Sequence, residues 1–276
     1  MAIQGQNNGR TVRNLAIFTF LVITLGWLGR WLDSLMGSTA SQGIGMAIWI
    51  ISPLAVSLLL RAFAGDGWKD LGIRPAINGN VLWYAISLLV YPVCVTLILV
   101  IGLASGTVSF PGFSLTLFVQ AFAIALVPQA IKNIFEEFAW RGYLAPKMYK
   151  LGLNVFVAHV LVGLIWGGWH LTYLRAITPY TTESLATLVP RLLAGAIAAS
   201  IVYGEIRIAT DSVWPAWLMH TVGAAFVGPL ILQHFIEVAG GTEFVVAPVV
   251  EGGLMIVLLT LTGVGIHVLR RKRMTA

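Results

Sequence analysis

Apolar residues fall into runs of about 20, long enough for a helix at 1.5 Å per residue to cross the hydrocarbon core of a bilayer. The runs predict eight helices, at approximately 14–32, 43–63, 80–104, 116–144, 154–176, 187–209, 212–235 and 248–269. The first begins after Arg10 and Arg13 and is followed by the small residues Gly37, Ser38, Thr39 and Ala40, which superficially resembles a signal peptide. At roughly 19 apolar residues it exceeds a usual signal core, so an uncleaved first span is expected. Between the second and third runs, segment 65–79 mixes Asp66, Lys69, Asp70 and Arg74 with Trp68 and Leu71. It is too short to span and reads as interfacial. No linker or repeat divides the chain, so residues 1–276 are expected to form one membrane domain.

The polar positions between the runs fix an orientation. With the N-terminus inside, 13 of the 17 lysines and arginines lie toward the termini: Arg10, Arg13, Arg61, Lys69, Arg74, Arg141, Lys147, Lys150, Arg207 and Arg270 to Arg273. Arg30, Arg175 and Arg191 lie toward the other side, Lys132 is inside a span, and the last outer loop carries Glu237, Glu243 and Glu251 with no base. Positive residues concentrate on the cytoplasmic side. Both termini are therefore expected there, and the protein is expected in the cell membrane of a prokaryote.

Composition supports the same class. With 58% hydrophobic residues, 10% charged residues and a mean hydropathy of +0.88, the chain is outside the range of water-soluble domains. The expected fold is all-α and polytopic. The net charge of +6 comes from residues flanking the runs, not from a basic face with interleaved aromatics, so no nucleic acid partner is expected. Cys94 is the single cysteine and cannot form an internal disulfide.

Against this background the charged residues inside spans stand out, since one charge near the bilayer centre costs on the order of 3 kcal/mol. Glu136 and Glu137 are adjacent, and Arg141 follows Glu137 by one helical turn, so those two can pair on one helix face. Glu136 points about 100° away, with Lys132 the nearest base on its own face. It is the freer carboxylate and a candidate general base. His170 ends the sequence Trp166-Gly167-Gly168-Trp169-His170, where paired glycines permit close helix approach, and His220 lies about two turns into the seventh run. By helical rise, Glu136 and His220 sit roughly 15 and 12 Å from the side bearing the termini, whereas His170 is roughly 24 Å from it unless its helix tilts. Trp166 and Trp169 are candidates to line a site. Glu205 is expected to pair at the interface with Arg207 and Asp211, His159 to serve a hydrogen-bonding role, and His234 and His267 to meet water at span ends.

These residues resemble the motifs of the CAAX protease and bacteriocin-processing (CPBP, or Abi) family of intramembrane endopeptidases. Glu136-Glu137-Phe138-Ala139-Trp140-Arg141 is similar to its EExxxR motif, Trp166 to His170 resembles FxxxH with tryptophan for phenylalanine, and His220 stands where HxxxN begins. The resemblance implies a family core at about 115–235, in spans four to seven, and hydrolysis of a peptide bond at or within the membrane. It further implies that Glu136 and His170 activate a water, that His220 stabilises the oxyanion, and that Glu137 and Arg141 support the site. The implied partners are the bilayer and a peptide or protein substrate, prenylated or membrane-associated. Neither cofactor nor metal is expected: two histidines and a carboxylate would suit zinc, but no HExxH helix is present. The pattern breaks at Ala224, where the family motif has asparagine. Asn133, one turn before Glu137, is a candidate replacement by helical spacing alone. The site is expected to open toward the cytoplasmic face. The rival reading is a catalytically weak or inactive member that acts as a membrane scaffold or binds partners; a proton-coupled transporter would be expected to show inverted repeats, and none is found.

Overall fold

The computed structural model describes residues 2–38 and 43–275; Thr39 and Ala40 of the small-residue stretch lie outside them. Eight helices among the described residues are long and apolar enough to cross a membrane. They are α1 (Ala2–Leu35), α2 (Ile44–Phe63), α3 (Val81–Ala104), α4 (Leu115–Ala139), α5 (Val155–His170), α6 (Leu185–Thr210), α7 (Trp214–Leu232) and α8 (Gly253–Thr275). The protein is an all-α polytopic membrane protein. The apolar runs place every span, and the differences fall at ends. Helix α4 continues beyond the predicted stop through a π-helical turn, Trp140–Leu144, into a last α segment, Ala145–Lys150. Pro146 does not end the helix because it occupies the first turn of that segment, where a missing N–H is tolerated. Conversely, 247–252 forms a loop, and α8 starts five residues later than expected.

Small residues set how closely the spans approach. A Cβ on Gly29 of α1 would lie 2.5 Å from the Gly45 carbonyl oxygen of α2. One on Gly163 would meet the Ile197 Cα at 2.6 Å, and one on Gly167 the Leu193 side chain at 2.9 Å, so α5 lies directly on α6. Gly168 has nothing within 4 Å. Of the paired glycines, only Gly167 serves close packing.

Polar contacts close the end of the bundle that carries the termini. The loop after α2 folds back over α4. Arg61, wholly buried, pairs with Asp70 at 2.7 Å and donates to the carbonyls of Gly67 and Gly142. Lys147 contacts Asp70 at 2.9 Å and the Asp66 carbonyl at 2.8 Å, Tyr143 donates to the Asp66 carboxylate at 2.6 Å, and Lys150 reaches Asp70 at 2.6 Å. Segment 65–79 is thus tied down by charge rather than merely resting at an interface. At the opposite end, Val108–Ser109 and Glu237–Val238 form a two-stranded antiparallel ladder that joins the loops before α4 and after α7.

Glu205 is not the interfacial partner of Arg207 and Asp211. It is buried and accepts from Arg270 at 2.8 Å, with His159 at 3.1 Å and His267 at 3.0 Å from the same carboxylate. Arg207 pairs with Asp211 at 2.7 Å instead. The reason is rotation about α6: residues two apart point about 200° apart on a helix, so Glu205 faces α5 and α8 while Arg207 reaches the polar end. His159 holds the hydrogen-bonding role expected of it, and His267 faces Glu205 rather than water alone.

Candidate active site

The site begins where α4 changes its winding. Glu136 and Glu137 occupy the last turn of regular α-helix, and Arg141 is the second residue of the π turn. Single π turns break the i→i−4 register and are frequent at functional sites. Two arginines from other spans take carbonyls of this turn: Arg61 of α2 donates to Gly142, and the Arg207 Nε of α6 donates to Arg141 at 3.0 Å. A bulge next to the carboxylates is thereby held by charged donors.

The two glutamates have different surroundings. Glu137 is fully buried. Its Oε1 accepts from the Arg141 Nη1 at 3.2 Å and lies 2.8 Å from His220 Nδ1. The Arg141 guanidinium lies against two rings set edge to face, Trp166 at 4.2 Å and Tyr203 at 4.4 Å. Such cation–π contacts are worth about 2 kcal/mol when desolvated and hold the charge without spending its remaining donors. The expected Glu137–Arg141 pair is present. Glu136 is 1% exposed. Its Oε1 accepts from Lys132 Nζ at 2.7 Å and its Oε2 from the Trp166 indole at 3.0 Å. It is not the freer carboxylate; each oxygen already has one donor, although ionised oxygens can accept more.

Both histidines present the same nitrogen to the interior. His170 Nδ1 lies 2.8 Å from the Trp166 carbonyl, an acceptor only, so Nδ1 carries a proton. His220 Nδ1 faces the Glu137 carboxylate in the same way. In each neutral ring Nε2 is then the free acceptor. The two rings flank Trp166, with centroids 5.7 and 5.6 Å from its ring. Helices α4, α5 and α7, which share no local sequence, bring Glu136, His170 and His220 around one indole.

A cavity of about 270 Å³ adjoins this cluster. Lys132, Trp166, His170, His220, Ala224 and Tyr91 form its polar end, and Leu192, Val227, Ile231, Leu232 and Val249 its apolar remainder. Glu136 lies behind this wall, held by two of its members. The apolar lining comes from the start of α6, the end of α7 and the loop before α8, so the cavity runs toward the end of the bundle opposite the termini. The expected opening toward the termini is corrected: α5 delivers His170 on its last residue, far from that end, and the Arg61–Asp70 network covers it. At the far end Tyr180 donates to Glu251. Burial pushes the Glu251 carboxyl above its usual range, partly offset by that hydrogen bond; burial and the neighbouring Glu251 charge push the Tyr180 hydroxyl well above its own.

The remaining expected site residues divide. Trp166 lines the cavity. Trp169 does not: it is fully buried, stacked on Trp49 with centroids 4.1 Å apart, and packed edge-on to Trp140. Asn133 is buried, has no side-chain partner among the described residues, and is not in the cavity wall. Ala224 is in the wall and offers no side-chain donor. Among the described residues no group of three or more His, Cys, Asp or Glu side chains is arranged to hold a metal ion. Sequence reading missed Tyr91 and Tyr203, from α3 and α6, which reach the site. Nothing in their spacing distinguishes them from packing tyrosines.

Residues 114–226 match the family model described as Type II CAAX prenyl endopeptidase Rce1-like. The matched segment contains Glu136, Glu137, Arg141, His170, His220 and Ala224. No curated protein matches the chain.

Proposed function

From the premise that residues 114–226 carry a Rce1-like CAAX endopeptidase domain of the CPBP family, which supports a membrane protease of that type, we propose that the protein is an intramembrane endopeptidase that hydrolyses peptide bonds with a water activated by Glu136 and His170. The carrying observation is the convergence of Glu136, His170 and His220 on Trp166 beside one apolar cavity. The water would lie between the Glu136 carboxylate and His170 Nε2 and lose a proton to this pair as its oxygen attacks the carbonyl carbon. The carbonyl π electrons move to oxygen and form a tetrahedral oxyanion. Its collapse breaks the C–N bond, and the proton passes to the departing amine. General-base assistance of this kind contributes about 10²- to 10⁴-fold. Glu137 and Arg141 act through His220, fixing its tautomer and ring orientation; protonated, that ring would offer an Nε2–H to the oxyanion.

The substrate is an apolar peptide or protein segment, prenylated or membrane-associated, and the protein belongs in the cell membrane of a prokaryote with both termini cytoplasmic, as the distribution of lysine and arginine supports. The reaction needs no cofactor or metal in this scheme. The test is cleavage of a peptide library, with and without isoprenyl groups, by the purified protein in lipid nanodiscs, compared with Glu136→Ala and His170→Ala. Cleavage by the wild type, retained in a strong chelator and lost in both variants, is the expected result. Activity in Glu136→Ala equal to wild type would remove the proposed base, and loss in chelator restored by zinc would reassign the chemistry. Ala224 favours one second reading, a catalytically weak or inactive member serving as a membrane scaffold, which predicts no cleavage by any of the proteins.

A further inference from the structure

The donors around the cavity can be counted one by one. The Trp166 indole N–H is spent on Glu136, the Tyr180 hydroxyl on Glu251, and the Thr178 hydroxyl on the Leu174 carbonyl. His170 and His220 each commit Nδ1–H elsewhere and, when neutral, present acceptors at Nε2. Ala224 has no polar side-chain atom. With both imidazoles neutral, the side chains at the polar end of the wall that keep an uncommitted or mobile proton are the Lys132 ammonium and the Tyr91 hydroxyl. A developing oxyanion needs donors fixed in advance, because donors that must reorganise during the reaction lose most of their advantage.

Lys132 is a poor fit to that requirement. Its side chain is 33% exposed and is already drawn to Glu136 at 2.7 Å. Tyr91 meets the requirement. It is 8% exposed on α3, and its hydroxyl accepts from Tyr203 at 3.3 Å, which leaves its own proton unengaged. Its ring lies against Gly223 of α7, where a Cβ would come within 2.5 Å of Tyr91 Cδ2. Glycine at 223 thus makes room for the ring immediately beside Ala224. The phenol carries two rotatable side-chain torsions, so packing on Gly223 and the bond from Tyr203 leave it little freedom. Tyr203 itself stands against Arg141 and His220, with its ring centroid 5.7 Å from that of His220.

We propose that Tyr91 is a catalytic residue whose hydroxyl donates a hydrogen bond to the oxyanion of the tetrahedral intermediate. The inference rests on the hydrolytic reading above. Tyr91 transfers no proton: the hydrogen bond from its hydroxyl shortens as the C–O bond loses double-bond character and charge builds on oxygen, and it relaxes when the intermediate collapses. Gly223 and Tyr203 are positioning residues for it.

The test uses the full chain in nanodiscs with two readouts, turnover of a cleaved peptide and calorimetric affinity for its phosphinate analogue, a tetrahedral anion that is not hydrolysed. Tyr91→Phe is expected to lower kcat by about 10²- to 10³-fold, the loss typical of one oxyanion donor, with KM for the peptide unchanged and phosphinate affinity reduced in proportion. Adding Ala224→Asn to Tyr91→Phe is expected to recover part of the loss by supplying an amide donor from the neighbouring position. Thermal unfolding within a few degrees of wild type checks that the ring still packs. Wild-type kcat and phosphinate affinity in Tyr91→Phe would overturn the proposal. So would transfer of the whole effect to Lys132→Met. Failure of the hydrolytic reading is distinguished by Glu136→Ala, which would then cleave as well as wild type, or by a wild type that neither cleaves nor prefers the phosphinate to the parent peptide; the Tyr91 assignment falls with it.

Discussion

Two buried charged clusters share this bundle and are built in opposite ways. At the end bearing the termini, Asp70 has three cations around it, Arg61, Lys147 and Lys150, while Asp66 is held by Tyr143 and Lys147. Around Trp166, by contrast, Glu137 Oε2 and the Arg141 Nε and Nη2 have no side-chain or backbone partner among the described residues, and each histidine leaves Nε2 free. The first cluster joins a loop to two spans and offers a reactant no group beside the cavity. The second retains hydrogen-bonding capacity beside a cavity large enough for a peptide side chain. Buried polar groups left unsatisfied cost about 1–3 kcal/mol each; the first cluster also leaves the Arg61 Nε without a hydrogen-bond partner among the described residues, so what sets the second apart is that its two histidines line the cavity with Nε2 uncommitted.

The largest expected effect separates the clusters by activity. Glu136→Gln keeps size and shape, still accepts from Trp166 through its amide oxygen, and removes the carboxylate. Turnover should fall by about 10²- to 10⁴-fold with a small change in unfolding temperature. Unfolding without a separate catalytic loss would show that Glu136 belongs with the structural cluster, and the contrast would fail.

Next in size is the reverse experiment. Arg61 has a fully buried side chain bonded to Asp70 and to two backbone carbonyls, one of them in the π turn. Arg61→Met should destabilise the protein by about 3–5 kcal/mol, the range for breaking one side of a buried ion pair. It can be read by steric trapping or SDS titration in bilayer mimetics. Any surviving folded fraction should keep its KM. A full loss of activity with unchanged stability would place Arg61 in the catalytic cluster through the π turn.

Glu205→Gln should come third, at about 1–3 kcal/mol for weakened charge-assisted bonds to Arg270, His267 and His159. Its loss should appear as faster proteolysis within α8, since those contacts tie α8 and α5 to α6. Unchanged protection of α8 would show that apolar packing alone holds it.

How much of this contrast the sequence contains depends on the range of each contact. All eight spans are legible because bilayer thickness imposes a length on them. Both i,i+4 pairs, Lys132–Glu136 and Glu137–Arg141, are fixed by helical geometry within one element. Glu137–His220 joins residues 83 apart, and Glu205 meets His267 across 62. Such pairings depend on the rotation of each span about its axis, which in a bilayer is weakly encoded because lipid-facing and protein-facing positions are both apolar. The π turn follows the same logic, for its carbonyls find donors only after α2 and α6 have packed. The resemblance pointed to the residues proposed to act in catalysis, whereas Tyr91 and the direction of the cavity required the packing of α3, α6 and α7.

The smallest expected effect is in pH, and it has opposite signs at the two ends of the molecule. Burial alone would raise the Asp70 carboxyl, but hydrogen bonds from Lys150, Arg61 and Lys147 outweigh it and hold the group well below the usual carboxylate range. A depressed group contributes stability above its unfolded pKa, about 3.9 for aspartate, and loses it as pH falls through the folded value. Glu251, raised by burial despite the bond from Tyr180, acts the other way. Its contribution is present below the unfolded pKa, about 4.3, and is lost as pH rises through the folded value. Stability should therefore decline slightly from about pH 4 upward through the Glu251 titration and drop again in stronger acid through Asp70. Glu251→Gln should flatten only the first limb and Asp70→Asn only the second, measured by denaturant titration at each pH in a non-ionic bilayer mimetic. If either substitution changes both limbs equally, the two ends are coupled through the cavity, and the separation between a structural and a reactive cluster does not hold.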